Sequence, residues 1–359
     1  MKAIADAIGF NLVVISPTIA LVLTALILLF FTITIESNEK VKQVITFSGV
    51  VSTLFCVFLK FGLFLQNGVS SYFSKKILLD EFSLFGNVLI GLILLFNILP
   101  IWDSSSQLRE KTTEAIILTL MSTSGFMLMV DSENLIMLFI GLEIGSISLY
   151  ALAGLNRVDK LSNEASLKYF LLGSLASCIF IYGVSLVYVS FSVLSVYDFA
   201  TGVGFVGADS VPLTTKLGVI LIFIGLLFKI AAAPFQSWAP DVYQGSPTGY
   251  VGYMASVAKA SAFIVIARLC QVSLRFMPNE FDSFFLFVVI LSVVIGSIFA
   301  SVQDDLKRLL AYSGVVQSGF ILSGIVSGIN GTSASMFYLF AYIIPVSYTH
   351  LTLPTTYHV

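Results

Sequence analysis

The chain has 359 residues, of which 57% are hydrophobic and only 11% are charged. Soluble domains carry roughly 25% charged residues, so this chain has too few polar side chains to cover a water-facing surface. Its formal net charge is −2, and no basic tract is available for nucleic acid. The composition therefore excludes soluble enzymes, disordered proteins and secreted disulfide scaffolds, and it predicts an all-α polytopic membrane protein.

Apolar runs of the roughly 20 residues that a helix needs to cross a bilayer recur along the chain. They are continuous rather than alternating, which favours helices over barrel strands. The first run is too long for a signal peptide and no small-residue cleavage site follows it. Ten spans are predicted, with an eleventh beginning near Ser333: 11–35, 41–65, 82–101, 114–131, 134–155, 166–192, 214–233, 249–271, 283–302 and 309–329.

Lysine and arginine are distributed unevenly between the two faces of these spans. The links after spans 1, 3, 5 and 9, with the adjoining Lys168, carry nine of them. The opposite face carries six, namely Lys2, Lys75, Lys76, Lys216, Arg268 and Arg275. By the positive-inside rule, we expect the N-terminus to lie outside.

Two patterns bear on whether the chain holds a cofactor or a metal. Cys56, Cys178 and Cys270 lie in separate apolar stretches, without a CxxC pair or clustered histidines, so no iron–sulfur or zinc site is expected. The stretch 202–207 spells GxGxxG, but it falls in a link between spans, whereas dinucleotide binding requires a preceding strand and a following helix. Neither a cofactor nor a metal is predicted in this chain.

Charged residues deep in the predicted spans are the main functional signal. Glu143 is the one charge in 134–155 and lies near its midpoint, and Lys259 is similarly central in 249–271. Such a residue costs about 3 kcal/mol on insertion scales, so it is retained where it faces a polar interior. Small residues around Glu143 would let helices approach and water enter: Gly141, Gly145, Ser146 and Ser148.

Lys229 lies near the end of its predicted span, five residues before Pro234. Proline breaks a helix, and a lysine at a broken helix is how many transporters build ion sites at mid-membrane depth. The alternative is an ordinary span end followed by a proline-rich loop. Lys60, close to the end of its span, is expected to extend its ammonium to the interface. Lys168, also at a span edge, is expected either to be structural or to support the site.

Several motifs together resemble the antiporter-like membrane subunits of respiratory complex I, most closely those of the subunit N type. They cover about residues 80 to 340, and the central block is the most specific part. The motifs are Phe139-Ile-Gly-Leu-Glu143, Leu167-Lys-Tyr-Phe-Leu-Leu-Gly173, Leu227-Phe-Lys229-Ile-Ala-Ala-Ala-Pro234-Phe, Trp238-Ala-Pro-Asp-Val-Tyr243, Ser256-Val-Ala-Lys259-Ala and Gln303-Asp-Asp-Leu-Lys-Arg308-Leu-Leu-Ala-Tyr312-Ser.

The resemblance implies a proton relay in which Glu143 pairs with Lys229 and leads to Lys259, with Lys168 as a supporting residue. It also implies inverted five-helix repeats and a broken helix near Pro234. The domains would be N-terminal helices in 1–113, a first repeat in 114–272 and an incomplete second repeat in 273–345.

The same resemblance places the redox chemistry in partner subunits, which hold NADH, FMN, iron–sulfur clusters and quinone. The expected partners are other antiporter-like and small membrane-arm subunits and the lipid bilayer, without nucleic acid. The expected location is a bacterial inner membrane.

The chain departs from the family pattern at four places. Gln236, Gln244 and Gln317 stand where relatives often carry a histidine, a glutamate and a histidine, and glutamine cannot carry a proton at neutral pH. The residues 346–359 lose the apolar character in mid-span and hold both histidines, His350 and His358. We therefore expect a truncated or frameshifted chain with a non-native tail.

Two other functions are compatible with these residues. A subunit of a multisubunit Na⁺/H⁺ antiporter would share the Glu–Lys–Lys core, and co-purifying partners would distinguish it from a complex I subunit. A passive scaffold of the membrane arm is the third alternative. It predicts that Glu143→Gln leaves pumping intact.

Overall fold

The structure is a computed structural model that describes residues 2–34, 39–102, 111–207, 210–274 and 281–356, with side chains described from Gly9 to Val346. The described part contains thirteen helices and one two-stranded hairpin. The helices are α1 (Lys2–Thr34), α2 (Glu39–Asn67), α3 (Glu81–Trp102), α4 (Thr112–Asp131), α5 (Leu135–Ala153), α6 (Lys160–Phe191), α7 (Val196–Val206), α8 (Leu213–Lys229), α9 (Trp238–Gly245), α10 (Thr248–Val272), α11 (Asp282–Ser301), α12 (Leu306–Val326) and α13 (Ile329–Thr356).

Ten helices of the described part are long and apolar enough to cross a membrane: α1 to α6 and α10 to α13. Helix α8 covers most of the predicted span 214–233, and the short helix α9 begins after the end of that span. A helix satisfies all its backbone hydrogen bonds internally, which is what the bilayer interior requires. The predicted all-α, multi-pass architecture is confirmed, and the predicted spans differ from the helices mainly at their ends.

The hairpin was not predicted. Strands β1 (Ser70–Tyr72) and β2 (Ile77–Leu79) pair in antiparallel fashion, and Ile77 also bridges to Ser132 after α4. Three-residue strands carry too little alternation to be recognised in a sequence. We call the end of the bundle that carries this hairpin the hairpin face.

The short helix α7 was also not predicted. It begins after Ser195, whose hydroxyl accepts the backbone N–H of Asp198, and it contains Gly202 and Gly204. The GxGxxG pattern therefore lies largely in a helix, and in the described part no strand immediately precedes it. The pattern thus differs from the strand–turn–helix arrangement in which GxGxxG binds a dinucleotide.

Helix α10 forms the centre of the bundle, because every residue from Tyr250 to Leu269 is buried. Helices α4 and α5 pack closely through glycines. A Cβ added at Gly125 would lie 2.3 Å from the backbone nitrogen of Gly145, and one added at Gly141 would lie 2.5 Å from that of Met129. The expectation that small residues near Glu143 permit close helix approach is confirmed.

Two cations that the sequence assigned to the interface are buried near the hairpin face. Lys60 is 0% exposed, and its Nζ lies 2.5 Å from Oδ1 of Asp131, so the prediction that it extends to the interface is wrong. Arg268, counted among the charges of one membrane face, is 1% exposed and forms two hydrogen bonds to the carboxylate of Asp80, at 2.9 and 2.6 Å. Each cation is held in place by a carboxylate distant in sequence.

Candidate functional site

The helix that carries Lys229 is interrupted directly after this residue. Helix α8 ends at Lys229 and α9 begins at Trp238, and we call residues 230–237 the break segment. Its first four residues, 230–233, are 0% exposed. An ordinary loop would run over the surface, so the predicted discontinuous helix is confirmed.

Groups from other elements satisfy the free backbone atoms around the break. The indole Nε1 of Trp238 donates to the carbonyl of Phe228 at 3.0 Å. The hydroxyl of Ser292 on α11 accepts the N–H of Ala233 at 2.9 Å, and that of Ser318 on α12 donates to a break-segment carbonyl. Buried backbone groups are costly when unpaired, so these contacts stabilise the interruption.

The ammonium group of Lys229 faces hydroxyl groups of α5. Lys229 is 2% exposed, and its Nζ donates to Oγ of Ser146 at 2.7 Å and to the hydroxyl of Tyr150 at 3.0 Å. The Tyr150 ring lies 5.3 Å from the same nitrogen, which adds a cation–π attraction. The site thus holds a cation through polar but uncharged groups.

Glu143 lies on the same helix, one turn before Ser146. Its Oε1 accepts a hydrogen bond from the hydroxyl of Ser177 on α6. Among the described residues, no carboxylate lies within 4.0 Å of Lys229 Nζ, so the expected direct ion pair between Glu143 and Lys229 is not formed. Both side chains instead contact hydroxyl groups, and Ser146 lies between them in sequence.

A group of stacked aromatic rings surrounds the break. The rings of Tyr150 and Tyr169 meet edge to face at 4.7 Å, and Tyr169 stacks on Trp238 at 4.6 Å. Trp238 stacks in turn against Phe228 at 5.4 Å. Such contacts fix the orientation of Tyr150, and with it the position of one acceptor of the Lys229 ammonium.

Lys259 lies at the centre of α10 and is 2% exposed. Its Nζ donates to the carbonyl oxygen of Gly314 on α12 at 2.8 Å. A Cβ added at Gly314 would lie 2.7 Å from this Nζ and 3.1 Å from the hydroxyl of Tyr342, so the absence of a side chain there makes room for the ammonium. The structure places both lysines in the bundle interior, as predicted.

Lys168 belongs to a partly exposed charged cluster rather than to the immediate surroundings of Lys229. Its Nζ lies 2.7 Å from both Glu164 and Asp241, and Arg308 on α12 lies 2.6 Å from the other oxygen of Asp241. This cluster joins α6, α9 and α12. Because α9 follows the break, these ion pairs connect the end of the interruption to two neighbouring helices.

The three glutamines that depart from the family pattern have different surroundings. Gln244 donates to Asp305 at 3.0 Å and accepts from Arg308 at 3.0 Å, and Gln317 accepts from the hydroxyl of Tyr338. Gln236 lies in the break segment, and its buried Oε1 has no hydrogen-bond donor among the described residues. Of the three, Gln236 is the one that the structure places at the break itself.

Several site residues were not recognised in the sequence as partners of the charges. Ser177, Tyr150, Gly314 and Ser318 are ordinary residues of apolar helices, and nothing in their spacing distinguishes them. Ser146 was noted only as a small residue near Glu143. Ser318 and Gly314 share one helical face because they are four residues apart. The packing of α12 determines that Gly314 accepts from Lys259 and that Ser318 donates to Ile230.

The sequence matches a known family of membrane proteins. Residues 132–353 match the family described as NADH:quinone oxidoreductase/Mrp antiporter, TM. Three of the curated relatives that this chain matches are named NADH-quinone oxidoreductase subunit N or subunit N 1. That of Trichlorobacter lovleyi is 35% identical over 336 residues, covering 92% of this chain and 67% of the relative. The subunit of Parafrankia sp. is 44% identical over 64% of this chain and 44% of its own length, and that of Solibacter usitatus is 37% identical over 75% and 55%. The chain thus spans about half to two thirds of these relatives.

Solved structures show the same fold. A chain of respiratory complex I from Thermus thermophilus superposes with a TM-score of 0.77 at 29% identity, covering 94% of this chain and 70% of that one. A chain of the Mrp complex from Dietzia sp. superposes with a TM-score of 0.80 at 19% identity, covering 95% and 64%, which shows a shared fold alone. This chain therefore belongs to the NADH:quinone oxidoreductase/Mrp antiporter membrane family.

Proposed function

We propose that the protein is a subunit of the N type in a proton-translocating NADH-quinone oxidoreductase, and that it carries protons across the membrane without redox chemistry of its own. One observation carries this proposal. The buried ammonium of Lys229 lies at an interrupted helix and contacts two hydroxyl groups that can both accept and donate protons. A lysine needed only for packing would gain more from a carboxylate partner.

The residues would act in sequence along the bundle. A negative charge on Glu143 favours a charged Lys229, because opposite charges attract strongly across an interior of low dielectric constant. When Glu143 is neutralised, Lys229 is left buried without that attraction and releases its proton more readily. The hydroxyls of Ser146 and Tyr150 can accept that proton while each donates its own proton onward, and Lys259 on α10 would be the next basic group to hold a proton.

The partners and location follow from the proposed assembly. Other antiporter-like and small membrane-arm subunits would bind this chain in the bilayer, and partner subunits would hold NADH, FMN, the iron–sulfur clusters and quinone. The location would be a bacterial inner membrane, with the N-terminus outside by the positive-inside rule. We also propose that the chain divides into N-terminal helices in 1–113, a first repeat in 114–272, part of a second repeat in 273–345 and a tail in 346–359.

A subunit of a multisubunit Na⁺/H⁺ antiporter is the second candidate, because its fold is shared. Affinity purification of the tagged, full-length subunit from its native membrane separates the two candidates. Recovery of NADH- and quinone-handling subunits supports the oxidoreductase, whereas recovery of antiporter subunits alone would replace it.

The transport role itself is tested by NADH-driven proton uptake in vesicles that contain the assembled complex. Lys259→Ala is expected to abolish uptake, because it removes the buried ammonium on α10 and replaces no residue of the break segment. The matched control is Lys216→Ala on α8, which is not at the break. Full uptake with Lys259→Ala would contradict the proposal and favour a passive scaffold.

A further inference from the structure

Gly314 and Ser318, one turn apart on α12, contact the surroundings of the two buried lysines. Ser318 donates to the carbonyl of Ile230, the residue that follows Lys229, at 2.7 Å. It also lies 2.8 Å from the carbonyl of Gly314 one turn earlier. That second carbonyl is the acceptor of the Lys259 ammonium, at 2.8 Å. A single hydroxyl group thus links the break segment to the hydrogen-bond partner of Lys259.

The hydroxyl of Ser318 has one proton and two acceptors. A serine hydroxyl donates one hydrogen bond, so at any moment Ser318 serves either the Ile230 carbonyl or the Gly314 carbonyl. Ser318 is 1% exposed and Ile230 is 0% exposed, so bulk water does not replace the lost donor. The Gly314 carbonyl keeps the Lys259 ammonium as a donor, so the cost of losing the Ser318 proton falls on the Ile230 carbonyl.

The charge of Lys259 changes how strongly the Gly314 carbonyl competes with the Ile230 carbonyl for the Ser318 proton. Hydrogen bonds from a charged donor are roughly twice as strong as neutral ones. A Gly314 carbonyl that is engaged by the charged ammonium attracts a second donor less, and Ser318 then donates to Ile230. When Lys259 is neutral, the Gly314 carbonyl competes better for the Ser318 proton, and the Ile230 carbonyl in the break loses its donor.

We propose that Ser318 is a positioning residue that transmits the protonation state of Lys259 to the break segment beside Lys229. The proposal rests on the proposed function, because it gives the two lysines their roles in transport. It adds a means by which the protonation state of Lys259 changes the hydrogen bonding next to Lys229. Ser318 itself carries no proton across the membrane in this scheme.

The test uses the assembled complex in membrane vesicles and measures protons translocated per NADH oxidised. Ser318→Ala is expected to lower this ratio, because the Ile230 carbonyl loses the hydroxyl that donates to it, with the amount of assembled complex unchanged. Ser318→Thr keeps the hydroxyl and is expected to restore the ratio.

Two serines provide matched controls. Ser292→Ala removes a hydroxyl that contacts the same break segment, through Ala233, but that forms no hydrogen bond to Gly314. Ser323→Ala removes a hydroxyl of α12 that bonds only within its own helix, to Phe320 at 2.7 Å. Ser323→Ala is expected to keep the wild-type ratio. Ser292→Ala weakens the break through Ala233 and is expected to lower the ratio less than Ser318→Ala does. An equal loss with Ser292→Ala would overturn the proposal, because any weakening of the break would then have the same effect.

Gly314→Ala is a second route to the same link. The added Cβ would lie 2.7 Å from Lys259 Nζ, so the ammonium must leave its carbonyl while Ser318 is retained. We expect the same fall in the ratio, whereas Gly62→Ala, whose Cβ would meet no heavy atom within 4 Å, should have none. A wild-type ratio in both Ser318→Ala and Gly314→Ala would refute the link.

Lys229→Ala, measured alongside, separates this inference from the proposed function. If Lys229→Ala abolishes pumping while Ser318→Ala pumps normally, the transmission through Ser318 is wrong and the transport role stands. If Lys229→Ala pumps normally, the transport role fails, and the inference that depends on it fails with it.

Discussion

Lys60 on α2 and Asp131 at the end of α4 form a buried ion pair, with 2.5 Å between Nζ and Oδ1, although they are 71 positions apart in sequence. Asn87 on α3 donates to the same carboxylate oxygen at 2.6 Å. Three helices are thereby joined by one carboxylate near the hairpin face. Breaking a buried pair leaves an uncompensated charge in the interior, which is more costly than losing both charges together.

Lys60→Met is therefore expected to destabilise the assembled protein by about 3–5 kcal/mol. The double variant Lys60→Met/Asp131→Asn should recover most of that loss, because it removes the orphaned charge and keeps an acceptor for Asn87. The thermal midpoint of the detergent-purified complex measures both. Lys75→Met serves as the control, since its pair with Asp198 has side chains 59% and 39% exposed and should contribute little. A double variant as unstable as Lys60→Met would contradict this explanation.

Gly125→Ala is expected to separate α4 from α5. Its Cβ would lie 2.3 Å from the backbone nitrogen of Gly145 and 2.9 Å from the carbonyl oxygen of Gly141, and backbone atoms cannot move aside as a flexible side chain can. Overpacking of this kind costs about 1–3 kcal/mol or more. We expect reduced amounts of assembled complex by native gel, with Gly62→Ala unaffected. Normal assembly of Gly125→Ala would show that this helix pair is less constrained than its geometry indicates.

Glu143→Gln tests the charge on α5 without removing its contact to α6. The amide oxygen still accepts from Ser177, so assembly should be retained while the negative charge near Lys229 is lost. We expect proton uptake to fall strongly in vesicles with normal subunit content. Glu39→Gln on α2 is the matched control, because that carboxylate is 60% exposed and lies away from the site. Unimpaired uptake in Glu143→Gln would favour the passive scaffold.

Ser146→Ala and Tyr150→Phe each remove one of the two hydroxyl groups that contact Lys229. Each lost hydrogen bond corresponds to about 1 kcal/mol, so each variant is expected to lower coupled uptake about fivefold. Ser148→Ala on the same helix is the control, since its hydroxyl bonds only to the carbonyl of Ile144. Equal behaviour of all three variants would show that the hydroxyls do not handle the proton.

The sequence was sufficient to locate the charges of the site, because Glu143 and Lys259 lie at the midpoints of long apolar runs, where a charge is costly. Pro234 likewise revealed the interruption after Lys229. The partners of these charges could not be predicted. Whether Lys229 meets Glu143 or the hydroxyls of Ser146 and Tyr150 depends on helix rotation and on ångström-scale packing.

The error at Lys60 has the same origin. Position within one apolar run gives the depth of a lysine but not the residues on neighbouring helices, and the carboxylate that holds Lys60 inside belongs to α4. Arg268 was misplaced for the same reason, since Asp80 precedes it by 188 residues. Contacts between residues so far apart in sequence do not affect the local hydrophobic periodicity.

If the ammonium of Lys229 takes part in proton movement, removing it must slow pumping. The rates of proton translocation and of NADH oxidation are therefore measured in vesicles that contain the assembled complex with Lys229→Ala. Both rates are expected to fall strongly while assembly remains normal. Wild-type values of both rates would show instead that Lys229 is a structural residue of the broken helix.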